Sequence, residues 1–87
     1  MPDVHLPGTL PPLFRDLPRR VDIDAATVGE AIDRMDERWP GLRDRLCAGP
    51  AEIRPHIHFY VDRERAGLDT ELTARSRIDV IAAISGG

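Results

Sequence analysis

The chain has 87 residues, 41% of them hydrophobic, with twelve basic against fifteen acidic side chains and a formal net charge of −3. That length holds one small core, burying roughly 60% of the unfolded chain's surface, and leaves little room beside it for a deep catalytic pocket. The mixed, slightly acidic balance points away from nucleic acid and anionic membrane, and with no bilayer-spanning apolar run or signal peptide a cytoplasmic protein is expected.

Val4-His5-Leu6-Pro7 reads as a short first strand. Gly8 to Pro18, with Pro11-Pro12 and Pro18, spells a loop. Arg19 to Asp24 alternates polar and apolar residues and predicts a second strand, its start limited by Pro18. The two strands can pair as a hairpin. Thr27-Val28-Gly29-Glu30 has the form of a capping box, a hydroxyl residue followed three positions on by Glu. Behind it Val28, Ile32, Met35 and Trp39 recur at helical spacing and predict one core-facing stripe. Asp33, Arg34, Asp36, Glu37 and Arg38 cover the solvated faces. Pro40-Gly41 ends the helix. Leu42 to Leu46 predicts a further turn or two with both leucines inward, Cys47 at its end, and Ala48-Gly49-Pro50 as a break.

Ile53 to Asp62 is the most strand-like segment, with Ile57, Phe59 and Val61 alternating with His56, His58 and Tyr60. Arg63 to Gly67 reads as a polar turn. Leu68 to Leu72 is a short piece with two apolar anchors, a brief strand or a helical turn, and Thr73 to Ser76 is a second polar turn. In the last strand, Arg77 to Ile84, the residues Ile78, Val80, Ala82 and Ile84 share one face and Ile81 and Ala83 the other. Apolar residues on both faces predict a central strand. An amphipathic helix must bury its stripe against a sheet. The expected class is therefore α+β, a mixed sheet of four or five strands packed on one main helix. A domain over 1–84 is followed by a flexible tail over 85–87.

That tail, Ser85-Gly86-Gly87, is the most informative feature of the chain. Without Cβ atoms, Gly86 and Gly87 can enter a channel too narrow for any other residue, and the last carbonyl is open to attack. Such a tail suits a protein whose own C-terminus is the reacting group, against the bland alternative of a merely disordered end. Other chemistry is weakly signalled. His56 and His58 have a spacing that can bind zinc, yet only His5 or Cys47 could join them by folding, so outward histidines are preferred and no metal is expected. Cys47, the single cysteine, cannot form an internal disulfide and fits a reducing compartment; no His or Asn constellation marks it as a nucleophile. All twelve basic residues are arginine, so no side chain offers an amine as an isopeptide acceptor.

From about Val21 to Gly87 the chain resembles the ubiquitin-like sulfur carriers of the ThiS/MoaD family. The resemblance is carried by Thr27-Val28-Gly29-Glu30-Ala31-Ile32, by Pro40-Gly41-Leu42-Arg43-Asp44-Arg45-Leu46 and by Arg54 through Asp62. Gly67-Leu68-Asp69-Thr70-Glu71-Leu72 and the terminal Gly86-Gly87 complete it, all in family order and spacing. The insert after the helix looks like the longer MoaD-like members. There are departures. Ala74-Arg75-Ser76 replaces an Asp-Gly-Asp type of turn, His58 stands where many members have Asn, and Ala82 where proline is common. These bear on which activating enzyme and which sulfur acceptor the chain fits.

The resemblance implies a β-grasp (ubiquitin-like) fold and a chemistry. A C-terminal carboxyl with a pKa of about 3.5 is ionised at neutral pH and is a poor electrophile. An ATP-dependent adenylyltransferase of the ThiF/MoeB type would first form an acyl-adenylate on Gly87. A persulfide donor, either a cysteine desulfurase or a rhodanese-like protein, would then displace the nucleotide to leave a thiocarboxylate for a downstream sulfur-acceptor enzyme. On this reading the chain is a protein cosubstrate and not an enzyme. It binds no cofactor itself, and ATP is used by the partner. Gly87 is the reacting residue, Gly86 and Ser85 present it, and Phe59, Tyr60, Arg75 and Arg77 are expected on the docking surface. Two other readings use the same tail: the small subunit of a molybdopterin-synthase-like complex, and a modifier joined through Gly87 to a lysine of another protein. A pure interaction module with an incidental tail stands last. The final acceptor is open among cysteine, thiazole, the molybdenum cofactor, thiolated tRNA and a secondary metabolite.

Overall fold

The alternation in the first two expected strands is realised as β1 (Asp3–His5) and β2 (Arg20–Asp22), antiparallel, with Val4 opposite Val21. In this computed structural model residues 1–7, 17–49 and 52–82 are described. Most of the expected Gly8–Pro18 loop, Pro50 of the expected break, Ala83 and Ile84 of the last strand, and the tail Ser85-Gly86-Gly87 lie outside them.

Helix α1 (Val28–Arg38) begins at the predicted cap. The N–H of Glu30 donates to Thr27 Oγ1 at 3.1 Å, and Glu30 Oε1 accepts from the N–H of Ala26 at 2.9 Å, one residue before the position a capping box usually serves. The next free N–H groups are taken by a distant segment. Val28 donates to the carbonyl of Thr70 at 3.0 Å and Gly29 to that of Leu68 at 2.9 Å, while Leu72 donates to Ala26 at 2.8 Å. Leu68 to Leu72 is thus a turn seated on the start of α1, bridged at Glu71 to Thr27, and not a strand of the sheet. Gly29 permits the close approach, since a Cβ there would lie 3.3 Å from the Leu68 carbonyl oxygen. Thr27→Ala is expected to cost about 1 kcal/mol, the usual value of a lost cap. Thermal melting should show a fall of about 4–8 °C.

The stripe Val28, Ala31, Ile32 and Met35 is buried as predicted. Trp39 is not the fourth turn of it: it is the C-cap, half-buried, with the Arg38 guanidinium 4.6 Å from the ring centroid. Gly41 takes φ 99° ahead of α2 (Leu42–Leu46), a conformation natural only to glycine. Asp36 Oδ1 accepts from the N–H groups of both Gly41 and Arg43 at 3.0 Å, which fixes the joint between the helices. Leu42 and Leu46 point inward as expected.

Three segments differ from the sequence reading. Cys47 and the start of the expected break form β3 (Cys47–Gly49), which pairs antiparallel with β4 (Glu52–Ile53) in a separate two-stranded sheet. The long strand expected from Ile53 is interrupted at Arg54 to His56, because Pro55 has no N–H for a ladder. It resumes as β5 (Ile57–Val61). The expected polar turn after it contains β6 (Glu64–Ala66), hairpinned to β5 through Asp62 and Arg63, both at positive φ. Asp62 is held there by donating its N–H to the Arg77 carbonyl at 2.9 Å and accepting the Arg77 N–H on Oδ1 at 3.0 Å.

The last strand, β7 (Arg77–Ala82), is central in a five-stranded sheet of order β2-β1-β7-β5-β6. It runs parallel to β1 and antiparallel to β5. The centrality is right, but two-sided burial is not its basis. Ile78 and Val80 face the helices, whereas Ile81 on the other face is 48% exposed. The turn before β7, Ala74-Arg75-Ser76, contains no glycine. It is closed by buried Ser76, whose Oγ accepts from the Thr73 N–H at 2.8 Å and whose own N–H donates to the Thr73 carbonyl. Val4, Val21, Ile57, Phe59, Val61, Ile78 and Val80 meet the helix stripes to form the core.

Candidate functional site

Strand β7 leads toward Gly87, so the firmness of that strand decides how the tail is presented. Its last described residue, Ala82, is opposite Ile57 on β5, and β1 covers its other side from Arg77 to Asp79. Five residues, 83–87, follow it. Gly87, the residue expected to react, and its neighbours Gly86 and Ser85 are among these and lie outside the described residues.

The face of the sheet away from the helices is open. Register places Arg20, His5, Asp79, Tyr60 and Arg65 in one row across all five strands, with His58 beside Ile81 in the next. A shallow groove of about 470 Å³ on this face is lined by His5, Tyr60, Arg63, Arg77, Asp79 and Ile81, among others. Of the four expected docking residues, Tyr60 is half-buried on this face, Arg77 is exposed and pairs with Asp79 at 3.0 Å, and Arg75 is exposed in the preceding turn. Phe59 is corrected: it points to the helices and is 1% exposed, so its ring is core and offers a partner nothing. Ile81, His5 and Asp79 were missed. The signal for Ile81 was in the sequence, since its cross-strand partner His58 alternates with the inward residues of β5.

Charges at the β1–β2 end are tied together. Arg20 donates to both carboxylate oxygens of Asp3, at 3.3 and 2.8 Å, and His5 Nε2 lies 2.8 Å from Oδ2. The Arg20 guanidinium holds the Asp3 carboxyl below its ordinary 3.8, helped by His5 and opposed by partial desolvation. A carboxyl depressed in the folded state stabilises the fold above the unfolded value and loses that contribution as pH falls through the folded one. Asp3→Asn should therefore melt slightly below the parent at neutral pH. The difference should shrink progressively below pH 3.8 in paired thermal scans.

Cys47 is buried where α2 meets β3, and burial pushes its thiol up, with Arg43 pulling the other way. A thiol so placed is a poor nucleophile. His56 sits exposed in the turn before β5 and His58 on the strand itself, so the two do not share one strand face. Among the described residues no group of three or more His, Cys, Asp or Glu side chains is arranged to hold a metal ion. Among them, too, no helix is long and apolar enough to cross a membrane.

Comparison with known proteins bears on what this arrangement serves. The ThiS family model matches residues 9–87, through the terminal glycine. Small archaeal modifier protein 1 of Haloferax volcanii is 33% identical over 69 residues, which span 78% of this chain and 79% of that protein. A chain in the crystal structure of the Amycolatopsis orientalis BexX/CysO complex superposes with a TM-score of 0.88 at 26% identity, covering 100% of both chains. CysO of Mycobacterium tuberculosis shares the fold, with a TM-score of 0.85 at 21% identity over 97% of this chain and all of that one. The mixed five-stranded sheet with its helices is the β-grasp, ubiquitin-like architecture.

Proposed function

The chain belongs to the ThiS family, and from that premise we propose that it is a sulfur carrier whose Gly87 carboxylate is activated and converted to a thiocarboxylate. The observation that carries this reading is the family match running to Gly87, on a sequence that ends Ser85-Gly86-Gly87. The chemistry needs three inputs from outside, an adenylating enzyme with ATP, a persulfide donor and a thiol reductant. An adenylyltransferase of the ThiF/MoeB type forms the mixed anhydride of Gly87 with the α-phosphate of ATP and releases pyrophosphate. A persulfide sulfur, from a cysteine desulfurase or rhodanese-like donor, then attacks the acyl carbon as the C–O bond to AMP breaks, and a thiol reductant attacks the donor's sulfur in the resulting acyl disulfide, becoming a disulfide with it and releasing the thiocarboxylate. An acceptor enzyme consumes it. The carrier acts as a cosubstrate, holding no cofactor and contributing the tail and a face for docking. Tyr60, Arg75 and Arg77, with Ile81, are the residues we place on that face. The relative from Amycolatopsis orientalis is seen in complex with a second protein, which supports a carrier that works by docking.

A second reading has its own support. The Haloferax volcanii relative is named a modifier, and the same activated Gly87 could pass to a lysine of another protein. Incubation with a cognate adenylating enzyme, ATP and a sulfide source, read by intact mass, tests the first reading. The expected change is one oxygen exchanged for sulfur, mapped to the C-terminal peptide. Sulfur found on Cys47 as a persulfide, or conversion without ATP, would overturn it. Conjugates of higher mass in the host that vanish when Gly86-Gly87 is removed would favour the modifier. A stoichiometric larger subunit on copurification would favour the small-subunit form.

A further inference from the structure

We infer that the groove on the open face of the sheet receives an acidic segment of a partner protein, whose carboxylates meet Arg63 and Arg65 while an apolar side chain lies against Ile81 and the ring of Tyr60. The inference rests on the docking role proposed for that face and adds the chemistry of the partner; it does not depend on the fate of Gly87.

The first observation is Arg63 itself. The β5–β6 hairpin turns on Asp62 and Arg63, at φ 50° and 73°. A two-residue turn with both φ positive favours Asn or Asp at its first place and Gly at its second, because a Cβ is crowded in the left-handed region. Asp62 fits that rule and has a structural task besides, since its carboxylate accepts the Arg77 N–H at 3.0 Å. Arg63 does neither. It stands exposed where glycine would be unstrained, and its guanidinium makes no hydrogen bond or ion pair among the described residues. A side chain kept at a cost to the backbone and used by nothing in the fold points to a use outside it.

The second observation is the charge around it. The carboxylates nearest the groove are already answered: Asp79 by Arg77 at 3.0 Å, and Asp3 by Arg20 and His5, each at 2.8 Å. Glu64, between the two arginines in sequence, is in register with inward-facing Val61 and so belongs to the other face of the sheet. Arg65 shares the row of Tyr60 on the open face and, like Arg63, has no partner among the described residues. Two unanswered guanidiniums therefore stand at the hairpin end of the groove. Half-buried Tyr60 and Ile81, 48% exposed, give the same groove an apolar wall.

Together these features select the partner. A guanidinium fork accepts carboxylate and phosphate alike. The apolar wall beside it needs apolar atoms opposite, which an acidic segment with a leucine brings and a phosphate does not. The net charge of −3 over the whole chain also opposes a polyphosphate.

The test titrates the full isotope-labelled chain with a capped glycine–serine peptide carrying one glutamate–leucine–glutamate run. It is read by NMR at the backbone amides and at the arginine Nε–H groups. At about 1 mM peptide, the range of a weak isolated motif, shifts are expected at Tyr60, Arg63, Arg65 and Ile81. The same peptide with glutamine for glutamate, and inorganic phosphate alone, should not reproduce them. Arg63→Gly should weaken binding about fivefold, the scale of one exposed ion pair. With Arg65→Gln added, the shifts should vanish. The Arg63→Gly chain should nonetheless melt at or above the parent, since glycine relieves the turn. Absent shifts at that concentration, shifts elsewhere on the molecule, or an equal response to the glutamine peptide or to phosphate would overturn the inference. So would an Arg63→Gly chain that binds like the parent, or one that melts well below it, because the side chain would then serve the fold. The Gly87 reading fails separately: a chain that forms no thiocarboxylate can still show these shifts, and a chain without them can still gain sulfur.

Discussion

Deleting Gly86-Gly87 is expected to abolish thiocarboxylate formation and to leave the melting temperature unchanged. The two effects should separate because the deleted residues lie beyond Val80, the last buried side chain among the described residues. In mass spectrometry after treatment with adenylating enzyme, ATP and sulfide, the truncated chain should show no gain of sulfur. A circular dichroism melt of the same sample should overlay the parent. Gly87→Ala should keep the fold and slow conversion by about 100-fold, the scale of loss when a reacting group is displaced by about 1 Å. The added methyl group crowds both the approach channel and the carbonyl. Cys47→Ser should convert like the parent. A truncated chain that melts much lower, or one that still gains sulfur, would refute the division between mount and reacting end.

The second large effect belongs to the core. Phe59→Ala is expected to cost about 3–5 kcal/mol, the range for emptying a buried aromatic site. Phe59 stands mid-strand on β5, between β6 and β7, opposite both Ala66 and Val80. Set against a total stability of about 5–15 kcal/mol for a domain of this kind, the loss leaves a chain partly unfolded at 37 °C. Urea titration followed by far-UV circular dichroism measures it through the midpoint at unchanged slope. A Phe59→Ala protein with the parent's midpoint would mean that the ring is not in the core. Its expected place on a docking surface would then be restored.

The helix was legible because three independent signals agreed on it: the cap at Thr27, the stripe from Val28, which the sequence carried one turn too far to Trp39, and the Pro40-Gly41 stop. The family was legible because five short segments, from the cap at Thr27 to Gly86-Gly87, stand in family order, and the ThiS family model matches residues 9–87. The β5–β6 hairpin was not legible. Two-residue hairpin loops usually announce themselves with glycine, whereas here Asp62 and Arg63 take positive φ without one. The information sits instead in the backbone pairing of Asp62 with Arg77, fifteen residues away. Strand β3 was hidden for a related reason, since Ala48 and Gly49 read as part of a break by composition and form a strand only through the register of Cys47 with Ile53. The candidate surface was half legible. Alternation sorted β5 into two sets, but which set met solvent followed from α1 covering one face only. Placing Phe59 and Tyr60 together ignored that two neighbours on a strand point opposite ways.

The position of β7 between a parallel and an antiparallel neighbour also sets how the molecule bears a load. A protein that grips the tail and draws it into a channel pulls along the axis of β7. Force applied in that direction acts in shear on both ladders, from Arg77 to Asp79 against β1 and from Ile78 to Ala82 against β5. The hydrogen bonds are then strained together, where an edge strand pulled from one end would peel away pair by pair. On the carrier reading proposed above, a partner would then load both ladders of β7 at once and not peel the strand from the sheet.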